Sequence, residues 1–91
     1  MAYQITFDHR VLKIMGKWKK SNPVLFNKLG KILKDIMEHP REGLGHPEPM
    51  VGGGDIRYSR RITAKDRIIY EIYDDRIMVL VIELEGHYDD K

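Results

Sequence analysis

The stretch RIMVLVIELEGHYDDK, residues 76–91, contains the most apolar run of the chain and decides its fold. Apolar residues on both faces over residues 77–82 are typical of a central strand that is covered on both sides. The preceding stretch RIIYEIY, residues 67–73, has the composition of a second strand. The dipeptide Asp74-Asp75 predicts a tight turn that joins the two strands as an antiparallel pair.

Further strands and two helices are predicted toward the start of the chain. DIRYSRRIT, residues 55–63, and YQITFD, residues 3–8, alternate as strands do. Helical spacing of apolar residues predicts one helix over residues 9–20, with Met15 and Trp18 in the core, and a second helix after Pro23. Asn22 is expected to cap the second helix, which should end near residues 38–39 because Pro40 disfavours a helical residue before it.

This order of elements predicts an α+β fold, β-α-α-β-β-β, with two N-terminal helices packed on one face of an antiparallel β-sheet. The other face of the sheet is expected to stay partly open. Residues 40–54, PREGLGHPEPMVGGG, hold three of the four prolines and five of the eight glycines. Structured loops of this length are often functional, so we expect a site where this loop meets the open face.

Length and composition restrict the class of protein. Ninety-one residues predict one domain, residues 1–91, and the absence of cysteine excludes disulfides and thiolate metal sites. The four histidines lack ligand spacing, and no phosphate-binding loop is present, so we expect neither a metal nor a cofactor. No segment has the pattern of a secretion signal or a membrane span, which favours a cytoplasmic protein without a membrane partner.

The charges are distributed unevenly, although the net charge is only +2. Residues 10–34 contain eight basic and no acidic residues, and residues 57–67 contain five basic residues against Asp66 alone. Residues 71–90 contain seven acidic residues against Arg76 alone. This asymmetry indicates an anionic partner for one surface and a basic partner for another, and the alternative is two solvated helix faces.

A small set of polar residues has complementary chemical roles: Glu48, Arg60, Arg61, Lys65, Arg67, His87 and Tyr88. The structural alternatives are a solvated loop residue for Glu48, a water-facing strand residue for Arg67 and an ordinary strand end for the His-Tyr pair. Prolines on both sides of Glu48 restrict its backbone. Arg60 shares strand parity with Ile62, so it either extends outward from the core face or lies on a twisted strand.

Four segments carry a resemblance to a known family: HPREGLGHPEPM (39–50), YSRRIT (58–63), DRIIYEIYDD (66–75) and GHY (86–88). Together they resemble the Txe/YoeB-type toxins of bacterial toxin–antitoxin systems, within the RelE/ParE superfamily. The resemblance covers nearly the whole chain. It implies the RelE-like microbial RNase fold and a ribosome-dependent endoribonuclease, or mRNA interferase, that cuts mRNA in the ribosomal A site. It also implies a cognate antitoxin with an acidic C-terminal segment, and it allows a homodimer.

The resemblance also implies roles for individual residues. Glu48 corresponds to the general base, Arg67 to the phosphate-stabilising arginine, His87 to the general acid and Tyr88 to an adjoining site residue. Three basic residues are candidate RNA contacts: Arg60, Arg61 and Lys65. The chemistry is consistent, because RNA supplies its own 2′-OH nucleophile, and acid–base catalysis then needs no metal. The alternative is a non-catalytic toxin of the same fold that acts by binding, as a gyrase inhibitor does.

Two features depart from the family pattern. Glu85 and Gly86 precede the His-Tyr pair, and Asp89-Asp90-Lys91 follow it. Nearby acids favour a protonated imidazole, and they also repel RNA. A two-residue turn would pair Arg67 near Ile82 and direct His87 to the opposite face, so a bulge at Gly86 is needed to bring both to one face.

Overall fold

The fold is taken from a computed structural model in which residues 2–86 are described. In chain order, its elements are β1 (Gln4–Phe7), α1 (His9–Ser21), α2 (Pro23–Glu38), β2 (Glu48–Pro49), β3 (Arg57–Arg61), β4 (Arg67–Tyr73), a 3₁₀ turn (Asp74–Arg76) and β5 (Met78–Glu85). The predicted α+β order is confirmed, and the short strand β2 is an addition within the long loop. The predictions for His87 and Tyr88 lie outside the described residues.

The five strands form one sheet in the order β1-β5-β4-β3-β2. β2, β3, β4 and β5 pair antiparallel, whereas β1 pairs with β5 in parallel. The sheet is therefore mostly antiparallel, as predicted, and the parallel edge strand β1 is the exception. Parallel neighbours need a long crossover connection, which the two helices and the other strands provide.

Local side-chain chemistry explains where the two helices begin and end. The carboxylate of Asp8 accepts a hydrogen bond from the amide of Arg10 at the start of α1. The side chain of Asn22 accepts from the amide of Leu25 (3.3 Å), and its backbone N–H donates to the carbonyl of Trp18 (2.8 Å). Asn22 therefore ends α1 and starts α2, which confirms its predicted capping role.

The core lies between the helices and one face of the sheet. Trp18 is buried and Met15 packs partly buried against the core, as predicted. On the sheet, every second residue of β4 is buried against the helices, and so are Val79, Val81 and Leu84 of β5. β5 is an interior strand, but the expectation that both its faces are covered is wrong. No element among residues 2–86 forms a layer on the second face, which we call the open face.

The connection between β4 and β5 differs from the predicted two-residue turn. A 3₁₀ turn replaces it, Ile77 follows with a φ of 50°, and the first pair is Tyr73 with Met78. A further register shift leaves Ile82 without a partner, because Ile69 pairs with Glu83 whereas Tyr70 pairs with Val81. Arg67 consequently pairs with Glu85, and its predicted pairing near Ile82 is wrong. The β-bulge therefore lies at Ile82 and precedes the predicted position.

Two classes of feature are missing from the part of the chain that the structure describes. None of its helices combines the length and the apolar character that crossing a membrane requires. Among residues 2–86, no group of three or more metal-ligating side chains comes together either.

Candidate active site

Glu48 lies on the short edge strand β2, where it pairs with Ser59 of β3. Paired residues point to the same face of a sheet, and Ser59 is on the open face because its neighbours Tyr58 and Arg60 point into the core. Prolines at 47 and 49 restrict the backbone on either side of this carboxylate. Glu48 is therefore an exposed carboxylate in a fixed position at the edge of the open face.

Arg61 and Arg67 form a cross-strand pair on the same face, and Glu85 of β5 pairs with Arg67. Ser59 precedes Arg61 by two residues on β3 and pairs with Glu48 of β2. Glu48 therefore lies one row of cross-strand pairs away from Arg61 and Arg67. With other residues of the 2–86 range, neither arginine forms a side-chain hydrogen bond or an ion pair. Two guanidinium groups and one carboxylate consequently lie in adjacent rows, available to a ligand.

The floor between these groups is formed by Ser59 and Ile69, which pair across β3 and β4. Both are buried although they belong to the open face, with exposed fractions of 7% and 4%. Their burial shows that longer side chains rise around them. Ser59 and Ile69 therefore form a small buried area of the open face between the charged side chains.

Further along the open face, Glu71 is the centre of a closed hydrogen-bonded group. One carboxylate oxygen accepts from the hydroxyl of Tyr73 (2.5 Å), and the other accepts from Nη2 (2.8 Å) and Nε (3.1 Å) of Arg57. These donors, Tyr73 first, lower the pKa of Glu71 below its ordinary value. Arg57 and Glu71 neutralise each other, so among residues 2–86 the positive charge of the open face that has no acidic hydrogen-bond partner lies at Arg61 and Arg67.

A pair of carboxyl groups borders the arginines on β5. Glu83 and Glu85 are two residues apart on one strand and both belong to the open face. Burial raises the pKa of Glu83, and the neighbouring charge of Glu85 adds to this effect. Of the acidic residues expected to oppose RNA binding, Glu85 therefore lies beside Arg67, and Asp89 and Asp90 lie outside the described residues.

Arg60 is not on the open face. Its side chain is 1% exposed and points between the sheet and α2. Nε donates to the hydroxyl of Tyr70 (2.9 Å), and Nη1 donates to Asp35 (2.6 Å). The remaining bonds go to backbone carbonyls of the long loop. The prediction that Arg60 contacts RNA is therefore wrong, because its donors are used inside the protein and no ligand can approach them.

Lys65 lies in the turn between β3 and β4 and is exposed. The hydroxyl of Thr63 organises this turn by donating to the carboxylate of Asp66 (2.5 Å) and accepting from the amide of Lys65 (3.1 Å). Lys65 also borders a cleft of about 430 Å³ beside the turn between the two helices, with Lys17 on the opposite side. Its role as an RNA contact stays a prediction.

Gly86 ends the described chain next to Asp66. A Cβ atom at this position would overlap the Asp66 carboxylate, so the close approach requires glycine. His87 and Tyr88, the predicted acid and its neighbour, lie outside the described residues. Of the sequence-predicted site residues, the structure thus brings Glu48, Arg61 and Arg67 together and separates Arg60 from them.

Sequence reasoning missed Asp35 and Tyr70, which hold Arg60 in place. One signal pointed to them: an arginine with the strand parity of core residues needs a buried partner. The identity of that partner depends on how α2 crosses the sheet, which local patterns do not contain.

Comparison with known proteins agrees with this architecture. The family model for the YoeB-like toxin of bacterial type II toxin–antitoxin systems matches residues 7–88. Toxin YoeB of Escherichia coli O6:H1 is 34% identical over 62 residues, which are 68% of this chain and 74% of that protein. The mRNA interferase toxin RelE of Escherichia coli K12 is 29% identical over 84 residues, which are 92% of this chain and 82% of that protein.

Solved structures show the same fold. A YoeB/ParE toxin from Agrobacterium tumefaciens has a TM-score of 0.83 at 26% identity, covering 93% of this chain and 99% of that one. The YoeB–YefM complex of Staphylococcus aureus gives a TM-score of 0.80 at 26% identity, and the YoeB dimer of the same organism gives 0.81 at 25%. Each of these two comparisons covers 97% of this chain and all of the other chain.

The two helices, the five-stranded sheet and the open face define a toxin of the RelE/ParE superfamily. Within that superfamily, the chain belongs to the YoeB-like toxins of bacterial type II toxin–antitoxin systems.

Proposed function

We propose that this toxin is an mRNA interferase that cleaves mRNA in the ribosomal A site by acid–base catalysis without a metal. The main support is the sheet pairing, which puts Glu48, Arg61 and Arg67 on one open face in adjacent rows. A relative that covers most of the chain carries the name mRNA interferase toxin. The proposal extends that activity to this chain.

Each group has a defined task in the cleavage of RNA. The Glu48 carboxylate takes the proton of the 2′-OH, and the resulting oxygen attacks the adjacent phosphorus. Arg67 offers paired N–H donors to the phosphate oxygens, whose negative charge grows as the new bond forms. The bond from phosphorus to the 5′-oxygen then breaks, which yields a 2′,3′-cyclic phosphate and a 5′-OH.

The leaving 5′-oxygen needs a proton, and His87 is the proposed donor. An imidazole has an ordinary pKa of about 6.5, so it exchanges a proton readily near neutral pH. Tyr88 is the proposed adjoining residue. Both assignments rest on the resemblance of the Gly-His-Tyr ending to the family pattern.

Arg61 and Lys65 are the proposed contacts to the RNA backbone outside the scissile bond. Arg61 adjoins Arg67 across the two strands, and Lys65 is in the turn that joins those strands. Contacts of this kind release counterions, so binding should weaken as salt rises. The carboxyl groups of Glu83 and Glu85 on β5 oppose RNA binding.

The proposed partners are a cognate antitoxin, the mRNA with its ribosome, and a second copy of the chain. The support is the solved YoeB–YefM complex and the solved YoeB dimer of Staphylococcus aureus. An antitoxin with an acidic C-terminal segment would complement the basic helices and would cover the arginines of the open face. A cytoplasmic location follows from these partners.

The test is RNA cleavage by Glu48→Gln and Arg67→Gln in a translating extract, mapped by primer extension. Removing an acid–base group typically lowers the rate by about 10²- to 10⁴-fold, which we expect for Glu48→Gln. Removing a donor that stabilises developing negative charge typically lowers it by about 10²- to 10³-fold, which we expect for Arg67→Gln. The matched controls are Glu38→Gln and Arg76→Gln, because both residues are exposed and lie in α2 and in the turn after β4, outside the rows of Glu48, Arg61 and Arg67. We expect these controls to cleave like the wild type.

Cleavage that is equal in all five proteins would disprove the assigned roles. Growth arrest with intact mRNA would instead favour the alternative of a toxin that acts by binding alone. In that case a DNA supercoiling assay with purified gyrase would show inhibition, which the proposed nuclease should not cause.

A further inference from the structure

We propose that buried Arg60 is a positioning residue for Glu48: it fixes the segment 39–45 and thereby holds the carboxylate against the reacting 2′-OH. The inference rests on the proposed function for its catalytic part. Its structural part, that Arg60 immobilises this segment, can be measured without any RNA.

The segment 39–45 has no regular secondary structure, yet its carbonyl groups converge on one guanidinium. Nη2 of Arg60 donates to the carbonyls of His39 and Glu42, and Nη1 donates to the carbonyl of Leu44 (3.0 Å). A guanidinium has five N–H donors in a rigid plane. With Tyr70 and Asp35 as the other two acceptors, all five donors are used.

Tyr70 and Asp35 extend the same network to the segment. The Tyr70 hydroxyl accepts from Arg60 and donates to the carbonyl of Pro40 (2.7 Å). The Asp35 carboxylate accepts from Arg60 and from the amide of Leu44 (3.0 Å). Four carbonyls and one amide of a loop are thus bound to three side chains from α2, β3 and β4.

The loop passes from this network directly to Glu48. The carbonyl of Gly45 accepts from the amide of Arg61 (2.7 Å), and a Cβ atom at Gly45 would overlap the Arg61 carbonyl. His46 and Pro47 alone separate this point from Glu48, and His46 has a φ of 53°. Because β2 is only two residues long, its own pairing with β3 is a weak anchor. The buried network therefore adds to the backbone bonds of Gly45 and Met50 with β3 in fixing the chain that leads to Glu48.

Arg60 and Arg61 consequently have different roles on the two faces of β3. Arg61 is on the open face, while its neighbour fixes the loop from the core face. A lysine could not replace Arg60, since its three donors share one nitrogen and cannot reach acceptors spread over a plane. The position thus requires the planar group as well as the charge.

The decisive variant is Tyr70→Phe, because it removes one hydroxyl and keeps the buried ring. It deletes the bond to Pro40 and leaves Nε of Arg60 without its acceptor. The matched control is Tyr58→Phe. Tyr58 is also buried and stacks on Tyr70 with ring centroids 6.3 Å apart, but its hydroxyl donates to Asp55 and to no backbone group of the segment. Its contact with the segment is the Arg41 guanidinium 5.9 Å from the ring centroid, and phenylalanine keeps that ring.

Amide hydrogen exchange and steady-state cleavage are measured on both variants and on Arg60→Lys. In Tyr70→Phe we expect exchange at Leu44 to accelerate at least about tenfold, with kcat falling by about 10- to 100-fold and KM changing less than twofold. The reason is that a displacement of about 1 Å can cost about 100-fold in rate, while the arginines that bind RNA are unchanged. Tyr58→Phe should match the wild type in all three quantities. Arg60→Lys should resemble Tyr70→Phe.

Unchanged exchange at Leu44 in Tyr70→Phe would overturn the inference, whatever the activity. Faster exchange with unchanged kcat would overturn its catalytic part. Faster exchange in a protein whose wild type cleaves no RNA would support the structural role of Arg60 and would refute the proposed nuclease.

Discussion

Gly86 lies where the end of the last strand passes the turn between β3 and β4. Because glycine has no side chain, the chain can approach Asp66 closely at this point. An alanine there would overlap the Asp66 carboxylate, which Thr63 holds by a hydrogen bond of 2.5 Å. We expect Gly86→Ala to lower the free energy of unfolding by about 1–3 kcal/mol, as overpacking does. Urea unfolding measures this change.

A double-mutant cycle tests whether the overlap with Asp66 causes the loss of stability in Gly86→Ala. Without the Asp66 side chain, the nearest remaining Asp66 atom to the new methyl group is its Cα at 3.4 Å, which is an ordinary contact. Gly86→Ala should therefore cost clearly less in an Asp66→Ala background than in the wild type. Equal costs in the two backgrounds would show that the overlap with Asp66 is not responsible.

Single residues also show how far the sequence could predict the site. Glu48 between two prolines and the Arg-Arg pair were recognisable as candidates from their neighbours in the chain. Strand parity predicted the face on which each arginine lies, but it did not predict the hydrogen-bond partners. Parity put Arg60 with the core, but its acceptors come from α2 and from a loop up to 21 residues away. A buried network of this kind becomes visible only in the packed structure.

At the scale of elements, Asn22 links the two helices because it caps one and terminates the other. Replacing such a cap by alanine typically costs about 1 kcal/mol, and we expect Asn22→Ala to destabilise the protein by about 0.5–2 kcal/mol. Asn22→Ser keeps an oxygen acceptor, so it should cost much less. Thermal unfolding by circular dichroism compares the two, and an equal loss for both would contradict the capping explanation.

The elements predicted best were those with a strong local pattern. Both helices had apolar stripes and a clear cap, and their bounds agree with the prediction to within a residue or two. The 3₁₀ form of the turn after β4 and the position of the bulge at Ile82 were predicted wrongly, since turn length and register depend on pairing with another strand. β2 was missed because two residues are too short to show alternation. The turn and the bulge together determine that Glu85 opposes Arg67.

At the scale of the whole molecule, Asp35 couples α2 to the sheet and to the loop. Burial opposes its ionisation, yet the hydrogen bonds from Arg60 and from the Leu44 amide outweigh burial and lower the pKa of Asp35 below 3.8. A carboxyl group with a lowered pKa in the folded state stabilises that state above its unfolded pKa. This contribution is lost as the pH falls through the lower, folded value.

Asp35→Asn removes the charge and retains one oxygen acceptor, so its effect should depend on pH. We expect the variant to be about 1–3 kcal/mol less stable than the wild type at pH 7, the range typical of a broken charged hydrogen bond. The difference should begin to shrink as the pH falls below the ordinary, unfolded pKa of an aspartate, about 3.9, because the unfolded chain then binds a proton that folded Asp35 does not. Urea unfolding between pH 7 and pH 3 measures this difference in the free energy of unfolding. The control Glu38→Gln, an exposed change in the same helix, should differ from the wild type by no more than about 0.5 kcal/mol throughout.

Other carboxyl groups with lowered pKa values, such as Glu71, are common to both proteins and cancel in the difference. A difference that is constant over this pH range would mean that Asp35 acts through its shape alone, and that charge has no part in joining the helix, the sheet and the loop.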